Sequence, residues 1–458
     1  MKTVFIPVET IAREFDSKLL LACKLAERGY RVVVAQPDFL NQIAIFFRPG
    51  IYFGKNLFRT HFPTSLKLLA LYKKRGWSVV HLDEEGGIYA GTENEWKDIL
   101  DRRIDPMVLQ EDDSILCWGD FQRRHYGNSK HSCQIVTTGH PRFNLSNKTY
   151  KTLIENTLKT HTLSDFVLVN TNFGWCNNIS GKDFIFREGS KFMGSNEDDK
   201  NFKRSFWVSQ SKIFSKYLQV INEVALRNQE IDFVIRPHPA EDKNFYKIFF
   251  HGFKNIQIID DESALNWISK ASCVVHDGCT TGIEAYLLEK PVINLTPKID
   301  NPFEILIPNL IGKRITNSEE LEAAIININS YDKSDIPSKS FDLCKDIIVN
   351  FNTDVDSYSM IVEIIDQTAV DKSGGKYFWF GFKLVEFLNK TRKALLKYPR
   401  RFMPQKMIDL DRAVRQFPGF DYDATKRKLD LINKLEESQV NISGFTNRGF
   451  ILEKTKNS

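Results

Sequence analysis

The sequence predicts an α/β protein of two parallel-sheet domains facing a central cleft, extended at its carboxyl end by basic helices. Three observations carry this expectation. Short apolar runs alternate with stretches of helical period along residues 1–350, and strands joined by crossover helices pair in parallel. The alternation pauses at the polar stretch Ser146–Ser164 and then restarts, which divides it into two units of ordinary domain size. Residues 376–407 then change character, with nine Lys or Arg against one Glu, interleaved with aromatic residues. The expected divisions are 1–148, 149–350, 351–408 and 409–458.

The opening element is the apolar run Thr3–Val8, followed by a polar loop, Glu9–Phe15, and a helix from Asp16 to Arg28 that stops at Gly29. Tyr30–Ala35 is the second strand. A helix over Ser65–Arg75, a strand Ser78–Leu82, and strands Ile115–Trp118 and Gln134–Thr137 complete the first unit, which closes at His140-Pro141-Arg142. In the second unit Phe166–Val169, Phe233–Arg236, Ile256–Ile259, Cys273–Val275 and Val292–Leu295 read as strands and Val208–Arg227 as a long helix. The last fifty residues mix Lys and Glu with few apolar positions after Leu431, so at most one helix and a frayed end are expected there.

Composition narrows the function classes. The 458 residues are 42% hydrophobic and 26% charged, as in globular proteins, and disorder throughout is excluded. Sixty-three Lys and Arg against 58 Asp and Glu leave a net charge of +5, too small to argue for nucleic acid as a partner. The seven cysteines, Cys23, Cys117, Cys133, Cys176, Cys273, Cys279 and Cys344, form no C-x-x-C pair, which argues against a zinc ribbon or a disulfide framework and suits a reducing cytoplasm. MKTVFIPVETIAREF reads as neither a secretory signal nor a span, and no run of about 18 apolar residues occurs. The basic aromatic segment suits an anionic membrane surface, or equally a helix packed back on the first domain.

Ligands of open α/β sheets sit at the carboxyl ends of strands, and three strand ends carry chemistry. After Ser78–Leu82 comes Asp83-Glu84-Glu85-Gly86-Gly87, where crowded carboxylates are expected to raise one another's pKa values, as a general base requires. After the strand ending at Ile235 comes Arg236-Pro237-His238-Pro239-Ala240-Glu241, in which prolines stiffen a turn holding a guanidinium and an imidazole, suited to a leaving phosphate. The third is His276-Asp277-Gly278-Cys279-Thr280-Thr281-Gly282 with Glu284 beyond it. There a small-residue turn opens a helix whose free N–H groups attract an anion, and Glu284 is placed to accept hydrogen bonds from ribose hydroxyls. Each stretch also admits a plainer reading: a solvated acidic loop, an Arg paired to a carboxylate, a capped helix start. His140-Pro141-Arg142 is read as structural or as an interdomain contact.

Glu84-Glu85-Gly86 resembles the acidic D/E-D/E-G motif of bacterial GT-B sialyltransferases, His238-Pro239 their HP motif, and Thr280-Thr281 their paired hydroxyl residues, in the same order along the chain. More widely, FIPVETIAREFDSKLLLA, LDEEGG, RPHP and HDGCTTGIEA resemble bacterial surface carbohydrate biosynthesis proteins related to the Kdo transferases of O-antigen and capsule assembly. Over about residues 1–350 the resemblance implies a GT-B-like pair of Rossmann-like domains, with acceptor binding in the first and donor binding in the second. It implies a cytoplasmic glycosyltransferase, peripheral at the inner face of the membrane, that moves Kdo or another nonulosonate from a CMP donor to a lipid-linked glycan.

The resemblance makes Glu84 the base with Glu85 next in line, though the extra Asp83 leaves open which carboxylate acts. Arg236 and His238 would stabilise or protonate the leaving phosphate. His276, Gly278, Cys279, Thr280, Thr281, Gly282 and Glu284 would form the rest of the donor site. Neither a metal nor another cofactor is expected, since Arg236 and His238 take the role of a divalent cation. Two alternatives stay open: another nucleotide-sugar enzyme, such as a 2-epimerase or a CDP-glycerol-type transferase, and a non-catalytic scaffold that binds other glycan-assembly enzymes through residues 376–407.

Overall fold

The computed structural model describes residues 1–55, 63–85, 87–146, 150–156, 163, 165–187, 196–259, 263–332, 336–370, 379–400 and 417–455. Gly86 of the acidic turn, and 376–378 and 401–407 of the basic segment, lie outside the described residues. The chain forms two compact α/β units. The first comprises Met1–Gly87, Asn94–Leu145 and Lys345–Ser458, and the second Ile88–Glu93 and Ser146–Cys344. The carboxy-terminal residues, expected as separate helices and a tail, therefore belong to the first unit.

The first unit contains β1 (Thr3–Pro7), β2 (Arg31–Ala35), β3 (Ile51–Phe53), β4 (Ser78–Leu82), β5 (Ser114–Cys117) and β6 (Gln134–Thr137), parallel in the order β2-β1-β3-β4-β5-β6. Val4, Phe5, Ile6 and Val32 to Val34 are fully buried, because helices cover both faces of a parallel sheet. Each such side chain contributes about 1.5 to 3 kcal/mol on burial. The first helix runs Ile11–Glu27 and not from Asp16, so the expected loop Glu9–Phe15 is mostly helix. Glu14, Ser17 and Lys18 are buried on this helix. Glu14, expected in the loop, is there the buried partner of Lys18.

The end of the chain departs most from expectation. Helix Tyr422–Leu435 packs on helix Ile11–Glu27, and β13 (Val440–Thr446) and β14 (Gly449–Lys454) form an antiparallel hairpin. β14 runs antiparallel to β2, pairing Phe450 with Val34, Ile451 with Val33 and Leu452 with Val32. Phe450, Ile451 and Leu452 are fully buried. The hairpin covers what would otherwise be an exposed edge of the parallel sheet.

The second unit is a parallel sheet of β7 (Val167–Asn170), β8 (Phe233–Arg236), β9 (Ile256–Ile258), β10 (Cys273–His276), β11 (Val292–Leu295) and β12 (Lys313–Ile315), in the order β12-β11-β10-β7-β8-β9. Val167, Val169, Phe233, Ile235, Cys273, Val275 and Ile293 pack with Ile213, Tyr217 and Val224 of the 31-residue helix Glu197–Arg227. That helix starts before the expected Val208. Asn196 caps it by accepting from the Asp199 N–H at 2.7 Å, and Glu197, Asp198 and Asp199 favour its positive end.

Candidate functional site

In the first unit the acidic turn leaves the end of β4 into a buried lattice of charges. Glu84, 3% exposed, accepts from Lys18 Nζ at 2.8 Å on one oxygen and lies 3.1 Å from His140 Nε2 on the other. Lys18 also donates to Glu14 at 2.8 Å and to the Pro7 carbonyl at 2.6 Å. The His140 Nδ1 accepts from the Arg142 N–H at 3.2 Å, so the neutral ring carries its proton on Nε2 and donates to Glu84. Asp83 accepts from Arg103 at 2.8 Å, and its carbonyl accepts from the Trp118 indole at 2.7 Å. Glu85 alone of the three keeps an exposed head, 42% of its side chain, beside Arg13 at 3.1 Å, Arg103 at 3.5 Å and Lys55 at 3.9 Å.

These neighbours overturn the expected direction of the acidic pKa shifts. Burial works to raise Glu84, but Lys18 and then His140 outweigh it and the carboxyl sits well below its usual range. Burial likewise opposes, and Lys55, Arg13 and Arg103 together overcome, a shift that leaves Glu85 at about 2. Asp83 is lowered against its burial, chiefly by Arg103. His140 is lowered by burial despite Glu84. A turn read as carboxylates repelling one another is instead a turn of carboxylates held ionised by neighbours remote in sequence.

In the second unit, strand register lines up Arg236, Asn170, His276, Asn294 and Arg314 across β8, β7, β10, β11 and β12. In-register partners of a parallel sheet share a face, so the carboxyl end of the sheet carries a polar row. Asn170 is 2% exposed, and neither of its amide atoms has a hydrogen-bond partner among the described residues. A buried amide in that state costs about 1 to 3 kcal/mol, which favours a polar guest beside it.

Past β8, the His238 ring is half-buried and its Nδ1 accepts from the Ala240 N–H at 3.2 Å. Its backbone N–H donates to Glu241 at 3.1 Å. The fully enclosed Glu241 carboxyl also accepts from the Thr171 hydroxyl and the Phe173 N–H, each at 3.0 Å, and from the Tyr246 hydroxyl. Burial outweighs these bonds and pushes Glu241 up to about 7. One carboxyl thus ties the loop after β7 to the turn after β8.

Past β10, Gly278 takes φ +59°, and a Cβ there would meet Ile305 at 2.8 Å, so the turn requires glycine. Asn309 holds this turn by accepting from the Gly278 N–H at 2.9 Å and donating to Asp277 at 3.0 Å. The helix Thr280–Leu287 begins at once, with Cys279 at its N-cap and Thr280 half-buried. The Thr281 hydroxyl donates to the Cys279 sulfur at 3.0 Å.

The second unit gathers Arg236, His238, Gly278, Thr280 and Thr281 at the carboxyl end of one sheet, on strands flanking β7. His276 lies underneath the turn. It is fully buried, its Nδ1 accepts from the Cys279 N–H at 3.4 Å, and it lies under Gly282, where a Cβ would fall 2.1 Å from Nε2. Gly282 is accordingly there for packing, and Glu284 is 7% exposed in the helix. Sequence reasoning missed Glu14 and Lys18 in the first unit and Asn170 and Asn309 in the second; it read His140-Pro141-Arg142 as structural or as an interdomain contact and gave Glu241 no role within its turn. One signal was in view: both His-Pro turns follow a strand, and both imidazoles accept from the N–H two residues on.

No family model and no curated protein matches the chain. Among solved structures it is similar to the UDP-GlcNAc 2-epimerase of Methanocaldococcus jannaschii in complex with UDP-GlcNAc and UDP, with 15% identity, a TM-score of 0.46, and coverage of 80% of this chain and 99% of that one. It is similar to the UDP-GlcNAc 2-epimerase of Neisseria meningitidis bound to UDP-GlcNAc, at 14% identity and a TM-score of 0.44 over 80% of this chain and 100% of that one. For the wall teichoic acid polymerase TagF the figures are 11% identity, a TM-score of 0.44, and 80% and 88% coverage.

Proposed function

We propose that the chain is a GT-B-like glycosyltransferase of surface polysaccharide assembly, taking a sugar from a nucleotide donor, with CMP-Kdo or a related CMP-nonulosonate the assigned donor and a lipid-linked glycan the acceptor. The observation that carries the reading is the strand-end array of the second unit. His238 is locked by Glu241 on one side of β7, the Gly278–Thr281 turn opens a helix on the other, and Asn170, without a hydrogen-bond partner among the described residues, lies between them. β8 and β10 each neighbour β7, so the two turns stand about 10 Å apart across the sheet, within joint reach of one phosphate and its sugar. The helix start and Thr280 supply neutral donors to the phosphate, and Arg236 supplies charge. With Nδ1 engaged by Ala240, His238 is oriented so that Nε2 donates to the leaving phosphate oxygen.

The acidic turn of the first unit is assigned to the acceptor. Glu85 receives the base role, because it is the carboxylate whose head is exposed. Glu84, engaged on both oxygens, is assigned to positioning. A carboxylate at about 2 is a weak base, so Glu85 chiefly orients the acceptor hydroxyl and takes its proton late, as the bond to the sugar forms.

Calorimetric titration with CMP, UDP and CDP-glycerol tests the donor assignment. CMP is expected to bind most tightly and to lose affinity in Thr280→Ala. Preference for UDP would favour an epimerase-type enzyme, preference for CDP-glycerol a glycerol phosphate transferase, and nucleotide binding without turnover a scaffold.

A further inference from the structure

Helix Trp379–Arg400 presents two different apolar faces. One is consumed by the first unit. Phe382 is fully buried and meets Phe39 edge-on at 5.0 Å, Val385 is 8% exposed, and Gly381 lies so close to Phe46 that a Cβ would fall 2.3 Å from its ring. Asn389 donates to Gln42 at 2.5 Å on the same side. The other face is a stripe at helical spacing, Phe380, Leu384, Phe387 and Leu388, with exposures of 61, 40, 63 and 54%. Ile45, on the short helix Ala44–Phe46 that this helix packs against, is itself 58% exposed. Of the stripe, Phe380 also reaches the Phe46 ring, with centroids 6.3 Å apart, while all four side chains keep at least 40% exposure.

We propose that this second face seats the protein on an anionic membrane, with Phe380, Leu384, Phe387 and Leu388 entering the headgroup boundary. Charge decides for this occupant over a protein groove. Residues 379–400 carry six Lys or Arg and one Glu, and Lys383 and Lys390, both exposed and seven residues apart, run along one flank of the stripe. Glu386, the one acidic residue of the helix, pairs with Lys390 at 3.0 Å. Protein interfaces deplete lysine, whereas an amphipathic helix with a basic flank and aromatic anchors suits anionic lipid. No helix among the described residues is long and apolar enough to cross a membrane, so the contact is one of lying on the surface. The seating is independent of the sugar chemistry assigned above.

Co-sedimentation of the full chain with vesicles tests it, using phosphatidylcholine alone and an equal mixture of phosphatidylcholine and phosphatidylglycerol. The wild type is expected to bind only the mixed vesicles, and more weakly as salt rises. Phe387→Ser with Leu388→Ser should reduce binding about tenfold or more with no change in melting temperature, since both side chains are exposed in the folded chain. Lys383→Glu with Lys390→Glu should abolish binding at low salt. The proposal is overturned if the wild type ignores the mixed vesicles, if neither double substitution alters binding, or if the wild type is a dimer that Phe387→Ser/Leu388→Ser dissociates, which would make the stripe a contact between two copies.

Discussion

Glu84 Oε2 lies 3.1 Å from His140 Nε2, with 4% and 2% of the two side chains exposed, and the same carboxylate holds Lys18 at 2.8 Å. A contact so enclosed stabilises the fold of the turn before it serves any reaction. Glu84→Gln leaves Lys18 with Glu14 as its remaining carboxylate and should destabilise the first unit by about 2 to 4 kcal/mol in urea unfolding. Glu84 sits below its ordinary value of 4.5 in the folded chain, so its stabilisation is complete above that value and is lost as pH falls through the folded value. The variant's loss relative to wild type should therefore shrink below pH 4.5, and an unchanged difference down to strong acid would refute the ion-pair account.

Glu85→Gln is the contrasting case. Its side chain is 42% exposed, so folding should survive while transfer to the acceptor falls about 10²-fold with donor affinity intact. Because the folded-state carboxyl titrates at about 2, the acid side of the turnover profile should show no loss from this group down to about pH 3. Full turnover by Glu85→Gln, or an acid limb near pH 4.5 that the substitution abolishes, would remove Glu85 from the role.

Glu241 predicts the opposite pH trend. Its folded value is raised from 4.5 to about 7, so its favourable contribution is complete below 4.5 and is lost as pH rises through about 7. The difference corresponds to about 3 kcal/mol across that window. Glutamine mimics the protonated acid toward Thr171 and Tyr246. Glu241→Gln should thus melt with less pH dependence than wild type between pH 4.5 and 7. Asp277, raised by burial to about 6, contributes in the same direction in both proteins and cancels from the comparison. Parallel melting curves would show that Glu241 is ionised throughout.

The two threonines should separate. The Thr281 hydroxyl is spent on Cys279, whereas Thr280 is half-buried at the first helical position. Thr280→Ala should weaken CMP binding by about 1 to 3 kcal/mol and Thr281→Ala by clearly less. Equal losses by calorimetry would mean that Thr281 turns its hydroxyl to the ligand.

Many of the strands were legible because buried parallel strands are written as apolar runs: Val32 to Val34, Val79-Val80, Val274-Val275. Short or polar strands were not. Ile51–Phe53 is three residues long and Lys313–Ile315 starts with two cations, so neither shows a period. The hairpin Val440–Lys454 owes its place to the edge of β2, a partner more than 400 positions earlier. At the candidate site, glycine turns and His-Pro turns announce themselves locally, and they point to His238 and Thr280. Burial does not announce itself: His276 sits next to the turn in sequence but under Gly282 in space. The lattice around Glu84 was illegible for the same reason, since Lys18 and His140 reach it from different elements.

The central claim is that the strand-end array of the second unit cleaves a CMP-linked sugar with His238 at the leaving phosphate. Incubation of the wild-type chain and His238→Ala with a panel of CMP-, UDP- and CDP-linked donors, followed by mass analysis of the free nucleotide, tests it most directly. The account predicts CMP release by the wild type, reduced by about 10² or more in His238→Ala. Release of no CMP from any donor, with a UDP-linked sugar consumed or interconverted instead, would contradict it.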